Sequence, residues 1–314
     1  MKNILVTGSM AYDLLLSYDG SFADAVAQGK PDALSLAFVT SHFERHYGGT
    51  AANIAWNLKL LAQDPLIVST VGSDGEAYLQ FLQKHGMKTD LIDVVSHDMT
   101  ATAIMTTDTR EQQITLYHPG ADGAGSWPDL SAVRDVCSYA IVSPRNSQLM
   151  LKAALWCHET GLPFLFDPGQ WTIGFGTDEL RRVVSISDGL IVNDYEWSLL
   201  SDRLSVSVVQ ALELTPMLII TKGEEGLVIH TREDAIYIPA CKADRFVNPT
   251  GAGDALRAGF LTGLSLGWNL KESGQLGAAI ASLVVEQEGT QLASLDMDVL
   301  QERAVKAYGE RFSW

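Results

Sequence analysis

The stretch NPTGAGDALRAGF spans residues 248–260 and places a glycine-rich turn directly before a helical segment. Backbone N–H groups at the start of a helix can converge on an anion, and here they belong to Gly251, Ala252 and Gly253. Asp254 follows at once, where a hydroxyl nucleophile would meet a bound phosphate. An anion cradle beside a carboxylate is the minimum apparatus for phosphoryl transfer to an alcohol.

The same letters also fit an ordinary helix start, in which glycine forms the turn and Asp254 favours the helix dipole. The motif taken alone does not separate these two explanations. The stretch is not a Walker A loop, because GxxxxGK[ST] does not occur in the chain. It is not a dinucleotide fingerprint either, because Leu256 stands where the third glycine is needed.

Short apolar runs rich in β-branched residues recur upstream of this stretch, with helical segments between many of them. The predicted strands are Ile4–Thr7, Leu66–Val71, Tyr139–Val142, Pro163–Phe166, Gly189–Val192 and Met217–Thr221. The predicted helices are Ala51–Leu61, Tyr78–His85, Leu149–Glu159, Asp178–Val184, Asp254–Leu266, Lys271–Val285 and Met297–Tyr308. This alternation predicts an α/β fold with a doubly wound, mostly parallel sheet sandwiched by helices. Since no repeat or linker interrupts it, we expect a single domain over residues 1–314.

Two stretches break the alternation and predict a small β-strand lid on the main sheet. Residues 34–47 alternate apolar and polar positions in part, and Ala101–Thr107 and Gln113–His118 flank a polar turn as a hairpin would. Such patterns are typical of half-exposed antiparallel strands. We expect the lid to comprise about residues 11–20, 33–47 and 100–118.

Charge and cysteine content exclude several classes of protein. The 314 residues hold 22 Lys and Arg against 38 Asp and Glu, a formal net charge of −16. Such a surface repels phosphate backbones and anionic lipids, which argues against nucleic-acid and membrane partners. Three scattered cysteines form no disulfide framework, and no apolar run approaches the roughly 18 residues of a membrane span. We therefore expect a cytoplasmic protein.

Two further motifs carry groups suited to a polyhydroxylated ligand. Gly48 and Gly49 precede a helix whose first turn holds Asn53, an amide that can donate and accept hydrogen bonds at once. Asp13 follows the first strand, where its carboxylate can accept hydrogen bonds from two adjacent sugar hydroxyls. Taken singly, a buried Asn behind a glycine turn and a solvated loop Asp explain these residues at least as well.

The order of these motifs along the chain resembles the ribokinase-like, or PfkB, family of carbohydrate and nucleoside kinases. The resemblance runs from Asp13 through Asn53 to Asp254 and covers essentially the whole chain. Within the family, the chain looks most like the bacterial adenosine-kinase-type members. That closer similarity rests on Phe43–Leu61, Ile114–Ala121, Asp167–Gln170, Asn193–Trp197 and Pro249–Gly259.

The resemblance implies a ribokinase-like fold and a role for each matched residue. Asp254 would be the general base, and Gly251, Ala252 and Gly253 would form the anion hole for the moving phosphoryl group. The ribose hydroxyls would be held by Asp13, Gly49 and Asn53. The site for ATP would comprise Asn193, Glu196, Thr221, Lys222 and Gly223. Glu196 would organise Mg²⁺ through water, in keeping with the preference of that ion for oxygen ligands and retained waters.

One position departs from the family pattern. The family usually has Asp where this chain has Asn248. That aspartate commonly helps to hold a monovalent cation beneath the anion hole. The missing charge leaves potassium activation open, because carbonyl oxygens remain as ligands.

The activity implied by the resemblance is transfer of the γ-phosphate of ATP to the 5′-hydroxyl of a nucleoside, with adenosine, which gives AMP, as the preferred acceptor. A nucleoside needs a flat apolar slot for its base, and the sequence offers Tyr117, Phe38 and Trp171. A sugar kinase acting on ribose or fructose is the alternative within the family. A non-catalytic nucleoside-binding protein is the alternative from another class, against which the intact Asp254 argues. Monomer and homodimer both remain open.

Overall fold

A computed structural model describes residues 2–28 and 36–314, and its strands form two sheets. In chain order the strands are β1 (Asn3–Thr7), β2 (Ala11–Ser17), β3 (His42–Gly48), β4 (Pro65–Gly72), β5 (Ile92–Val95), β6 (Ala101–Thr107), β7 (Gln113–His118), β8 (Cys137–Val142), β9 (Phe164–Phe166), β10 (Gly189–Asn193), β11 (Met217–Thr221), β12 (Leu227–Thr231) and β13 (Ala235–Ile238). The α-helices are α1 (Phe22–Gln28), α2 (Thr50–Leu60), α3 (Glu76–Lys84), α4 (Ser147–Thr160), α5 (Thr177–Ile186), α6 (Asp194–Leu204), α7 (Val208–Leu214), α8 (Ala252–Ser265), α9 (Leu270–Val284) and α10 (Met297–Tyr308).

The larger sheet confirms the predicted α/β fold. Its strand order is β13-β12-β11-β10-β9-β8-β1-β4-β5, and every neighbouring pair from β11 to β5 is parallel. β12 and β13 add an antiparallel edge. All of the predicted strands of the main sheet are present, with bounds that differ by one or two residues at most.

Helices cover both faces of this sheet, which explains why its strands are apolar throughout. Ile4 and Val6 of β1 pack with residues of α2 and α8 on one face, whereas Leu5 packs with residues of α4 to α7 on the other. Every residue of β4 is buried. Strands of a parallel sheet between two helical layers have this continuous apolar character.

A second sheet has the strand order β3-β2-β6-β7 and uses segments predicted for the lid. β3 pairs antiparallel with β2, and β6 with β7, as predicted for these segments, whereas β2 and β6 at the centre of the sheet are parallel. Only strands joined by a hairpin must be antiparallel, and β2 and β6 leave the main sheet in separate excursions of the chain. The strand predicted from residue 34 begins at His42, and residues 33–35 lie outside the described residues. The action of this sheet as a lid stays a prediction.

The parallel strands bring their carboxyl ends to one edge of the main sheet, and residues singled out in the sequence lie there. Asp167 directly follows β9, Asn193 ends β10 and Thr221 ends β11. The first turns of α8 meet the same edge, since Arg257 bonds Asp167. This edge therefore holds the candidate site.

The remaining general expectations concern cysteines and membranes. All three cysteines are buried free thiols, in agreement with their scattered positions. Within the described ranges, no helix is both long and apolar enough to cross a membrane.

Candidate active site

The turn before α8 requires glycine at residue 251. Gly251 has a φ of 86°, in the left-handed region, and a Cβ there would lie 2.8 Å from the carbonyl oxygen of Thr290. The N–H of Ala252 closes the turn by donating to the carbonyl of Pro249 at 3.2 Å. One of the three N–H groups predicted to bind an anion therefore has an internal acceptor in this structure. The turn still stands at the N-terminus of a 14-residue helix, where negative charge is favoured.

Asp254 lies in the first turn of α8 and has a pKa that suits a general base. Burial raises its pKa to about 7, while Arg257 and a hydrogen bond from Asn53 act in the opposite direction. The amide Nδ2 of Asn53 donates to Oδ2 of Asp254 at 2.9 Å. Proton transfer is most efficient when the pKa of the base lies near the working pH. The structure thus brings two predicted site residues into direct contact.

The loop after α9 fixes the amide of Asn53 in this orientation. Thr290 Oγ1 donates to Asn53 Oδ1 at 3.0 Å, and Gln291 Nε2 donates to the same oxygen at 3.3 Å. Two donors on the oxygen leave the amide nitrogen facing Asp254. Because that nitrogen carries two hydrogens, one N–H remains for a ligand.

Asp13 is buried on β2, and its carboxylate lies beside Gly48 at the end of β3. Burial raises its pKa to about 6, and His46, its partner in the β2–β3 ladder, lowers it. A Cβ on Gly48 would lie 2.0 Å from Asp13 Oδ2, and Gly49 has a φ of 90°. Gly48 therefore makes room for the Asp13 carboxylate. The sequence does not show that His46 lies opposite Asp13, because this requires the strand register.

Asn193 and Glu196 form reciprocal hydrogen bonds at the start of α6. The side chain of Asn193 accepts the N–H of Glu196, and Glu196 Oε2 accepts the N–H of Asn193, both at 2.8 Å. This is a capping box, which by itself explains the NxxE spacing. Burial and then the charge of Asp167 raise the pKa of Glu196. Among the described residues the other oxygen, Oε1, has no donor, so it is free to accept from a metal-bound water.

A cavity of about 710 Å³ lies between the ends of β10 and β11 and the turn before α8. Its lining includes Asn193, Thr221 and Gly223 from the predicted ATP site and Ala252 and Gly253 from the predicted anion hole. The structure thus joins these two predicted groups in one space. Lys222 and Glu196 do not line the cavity.

A buried ion pair beneath this turn is the main feature that the sequence did not predict. Arg257 Nε and Nη2 donate to the two carboxylate oxygens of Asp167 at 2.5 and 2.6 Å. Arg257 Nη1 also donates to the carbonyl of Gly253 at 3.0 Å. Its sequence signal is an arginine within an otherwise apolar helix face.

The three aromatic residues proposed for a base slot have different surroundings. Phe38 packs edge-on against Tyr18, with 4.9 Å between ring centroids, and Trp171 packs against the main core. Tyr117 lies on β7 opposite Ala103 of β6, and Ala103 in turn lies opposite Asp13 of β2. Tyr117 is therefore in register with Asp13, which is predicted to bind the acceptor, with one strand between them.

Asn248 is engaged within the turn. Its Oδ1 accepts the N–H of Thr250 at 2.9 Å. Across the ranges 2–28 and 36–314, no group of three or more His, Cys, Asp or Glu side chains is arranged to hold a metal ion.

The geometry agrees with a known family of enzymes. The family model of pfkB family carbohydrate kinases matches residues 1–297. The chain belongs to the PfkB family. This membership confirms the resemblance seen in the sequence, and it makes the protein a kinase.

Relatives within the PfkB family include nucleoside and sugar kinases. A nucleoside kinase of Methanocaldococcus jannaschii is 32% identical over 264 residues, 83% of this chain and 86% of that protein. A ribokinase of Bacillus subtilis is 26% identical and covers 93% of this chain and 95% of its own. The structure of Burkholderia thailandensis nucleoside kinase in complex with inosine superposes with a TM-score of 0.85 at 33% identity, covering 98% of this chain and 99% of that one. The same Burkholderia protein has been solved in complex with ADP-inosine.

Proposed function

We propose that this PfkB kinase transfers the γ-phosphate of ATP to the 5′-hydroxyl of a nucleoside, and that adenosine is its acceptor. The contact between Asn53 and Asp254 carries the proposal. It joins an amide suited to sugar hydroxyls with a carboxylate suited to proton abstraction, beside a cavity that the anion-binding turn lines. These are the parts that phosphoryl transfer to an alcohol requires.

The reaction assigns a task to each group in the site. Asp254 takes the proton of the 5′-hydroxyl as its oxygen forms a bond to the γ-phosphorus. The bond from that phosphorus to the bridging oxygen of ADP breaks, and ADP leaves with the electron pair. The N–H groups of Gly251 and Gly253 stabilise the negative charge on the transferred group, since that of Ala252 is engaged by Pro249. Asp13 and Asn53 hold the ribose.

The oxygen-bearing side chains of the predicted ATP site, Asn193 and Glu196, suit Mg²⁺. The free Oε1 of Glu196, with Asn193 at the wall of the cavity, would hold the ion through water. When bound, Mg²⁺ neutralises charge on the phosphates of ATP. A chain with a formal net charge of −16 benefits from such a cation as it admits an anionic nucleotide.

The choice of a nucleoside over a free sugar rests on the relatives and on Tyr117. Nucleoside kinases at 32–33% identity are more similar to this chain than the Bacillus ribokinase at 26%. Tyr117 is in register with Asp13 across β6, so its exposed ring would offer an aromatic surface to a base. A base stacked on one aromatic side chain gains about 1–3 kcal/mol, which a free pentose forgoes. Ribose or fructose phosphorylation is the second candidate function.

The test is an ADP-release assay with ATP and Mg²⁺ and a panel of acceptors: adenosine, inosine, guanosine, cytidine, ribose and fructose. We expect kcat/KM for adenosine to exceed that for ribose by at least about tenfold to a hundredfold. A different nucleoside in first place contradicts adenosine alone. Ribose or fructose ahead of every nucleoside contradicts the nucleoside proposal. ADP release at the level of Asp254→Asn with all acceptors would indicate a binding protein.

A further inference from the structure

An arginine occupies the middle of a buried helix face. Residues 255–263 of α8 are all buried, and Arg257 is the only charged one among them. Its partner Asp167 is 1% exposed. Replacing such a pair by apolar residues of similar size is often neutral or stabilising, so stability alone gives little reason for it. Its contacts suggest a different reason.

The first contact is to the anion-binding turn. The guanidinium forks onto both oxygens of Asp167, which fixes its plane, and the third donor, Nη1, reaches the carbonyl of Gly253 at 3.0 Å. Gly253 is the last residue of the turn and lines the cavity. The carbonyl of Gly253 is thus tied, through Arg257, to the end of β9.

The second relationship is electrostatic. Four carboxylates share this region: Asp13, Asp167, Glu196 and Asp254. Within the described residues Arg257 is the buried cation of this group: it is hydrogen-bonded to Asp167 and acts through its charge on Asp254 and Glu196. Without this positive charge, the neighbouring carboxylates Asp167 and Asp13 would raise the pKa of Asp254 unopposed by a cation.

We propose that Arg257 is a positioning residue for phosphoryl transfer, which holds the Gly253 carbonyl in place and supplies the positive charge that the Asp254 carboxylate needs beside three other carboxylates. Asp167 orients the guanidinium for both tasks. The inference rests on the proposed function, because it assumes that Asp254 is the base.

Electrostatics predicts opposite effects for the two partners. Burial raises the pKa of Asp254 most, Arg257 lowers it, and Asp167 and Asp13 raise it. His46 lowers the pKa of Asp13. Removing the charge of Arg257 therefore makes Asp254 a weaker acid, and removing that of Asp167 makes it a stronger one.

The experiment compares the pH dependence of kcat/KM in Arg257→Gln, Asp167→Asn and Arg257→Lys with the preferred nucleoside. The acidic limb is the part of the profile in which kcat/KM falls with decreasing pH as Asp254 is protonated. We expect this limb to move to higher pH in Arg257→Gln and to lower pH in Asp167→Asn. Arg257→Lys keeps the positive charge but loses the bidentate hydrogen bonds to Asp167. The acidic limb should therefore stay in place while kcat falls by about tenfold. Arg303→Gln is the matched control, because Arg303 is a buried arginine paired with Glu286 and is not among the charges that act on Asp254. Its limb should not move.

Limbs that stay in place in both Arg257→Gln and Asp167→Asn, or that move in the same direction, overturn the inference. If Arg257→Gln does not fold, the limb of Asp167→Asn decides: displacement to lower pH supports the inference and no displacement overturns it. A wild-type chain without nucleoside turnover contradicts the proposed function instead. In that case a ¹³C NMR titration of the Asp254 carboxyl, assigned with Asp254→Asn, gives the same ordering of pKa values without turnover.

Discussion

Asn53 and Asp254 lie 201 positions apart in the sequence and share a hydrogen bond of 2.9 Å. Asn53 belongs to the helix that follows the second sheet, and Asp254 to the helix that follows the anion-binding turn. The bond therefore couples the group that would hold the acceptor to the group that would deprotonate it. It also orients the carboxylate, because Oδ2 is engaged and Oδ1 remains for the acceptor hydroxyl.

The first prediction concerns the pH profile of the wild-type protein. Asp254 acts as a base only when deprotonated, and its pKa is about 7. Turnover should therefore fall about tenfold for each pH unit below 7 and level off above about pH 8. In Asp254→Asn turnover should be lower by about 10²–10⁴-fold, with no such limb and with nucleotide binding retained. Near wild-type turnover in that variant would remove Asp254 from the mechanism.

The second prediction tests the contact between Asn53 and Asp254. Asn53→Ala removes a hydrogen bond to a charged group, worth about 1.5–3 kcal/mol, so kcat/KM should fall about tenfold to a hundredfold. The loss also raises the pKa of Asp254, which moves the acidic limb to higher pH.

Asn57→Ala is the matched control for Asn53→Ala. Asn57 is buried one turn further along α2 and donates to the backbone carbonyl of Asn53 at 2.9 Å. Its loss should reduce thermal stability and leave the limb in place. An unmoved limb in Asn53→Ala would show that the hydrogen bond does not act on the base.

The third prediction concerns the acceptor. Asp13→Ala removes a carboxylate suited to two vicinal hydroxyls, so KM for adenosine should rise far more than KM for ATP. The wild-type protein should prefer adenosine over 2′-deoxyadenosine, and Asp13→Ala should lose most of that preference. Equal discrimination by both proteins would mean that Asp13 does not contact the ribose.

The fourth prediction separates a steric from a conformational requirement for glycine. Gly251→Ala places a methyl group 2.8 Å from the Thr290 carbonyl oxygen in addition to a φ of 86°. Gly267→Ala, just beyond the other end of α8, has a φ of 78° but open space around its Cβ. Both should lose about 1–2 kcal/mol of stability from the left-handed backbone. Only Gly251→Ala should lose turnover; equal turnover in the two variants would contradict a role for the turn.

The fold was largely predictable because its central strands are buried on both faces and read as continuous apolar runs. β12 and β13 were missed because they lie at the sheet edge, where six of their nine residues are half-buried or exposed and the apolar runs are broken. α6 was missed as well. Its capping signal, Asn193 with Glu196, was assigned to metal binding instead, although the spacing serves a helix start equally well.

The site was predictable only where one short stretch contains the chemistry. Glycines next to Asp254 indicate an anion site before any fold is known. The ion pair of Arg257 with Asp167 joins residues 90 positions apart, and no local pattern shows which carboxylate an arginine will meet. Likewise His46 becomes a neighbour of Asp13 only once the β2–β3 register is fixed.

Gly49 is the single residue between β3 of the second sheet and α2 of the main domain. A Cβ there would lie 2.6 Å from the carbonyl oxygen of Ser9, so the joint is crowded as well as left-handed. A rotation of the second sheet relative to α2 at this connection requires changes in the φ and ψ angles of Gly49. Asn53 lies only one helical turn after Gly49, so such a rotation would also tilt the side-chain amide that donates to Asp254. Opening of the acceptor site and loss of the hydrogen bond from Asn53 to Asp254 would then occur in the same movement.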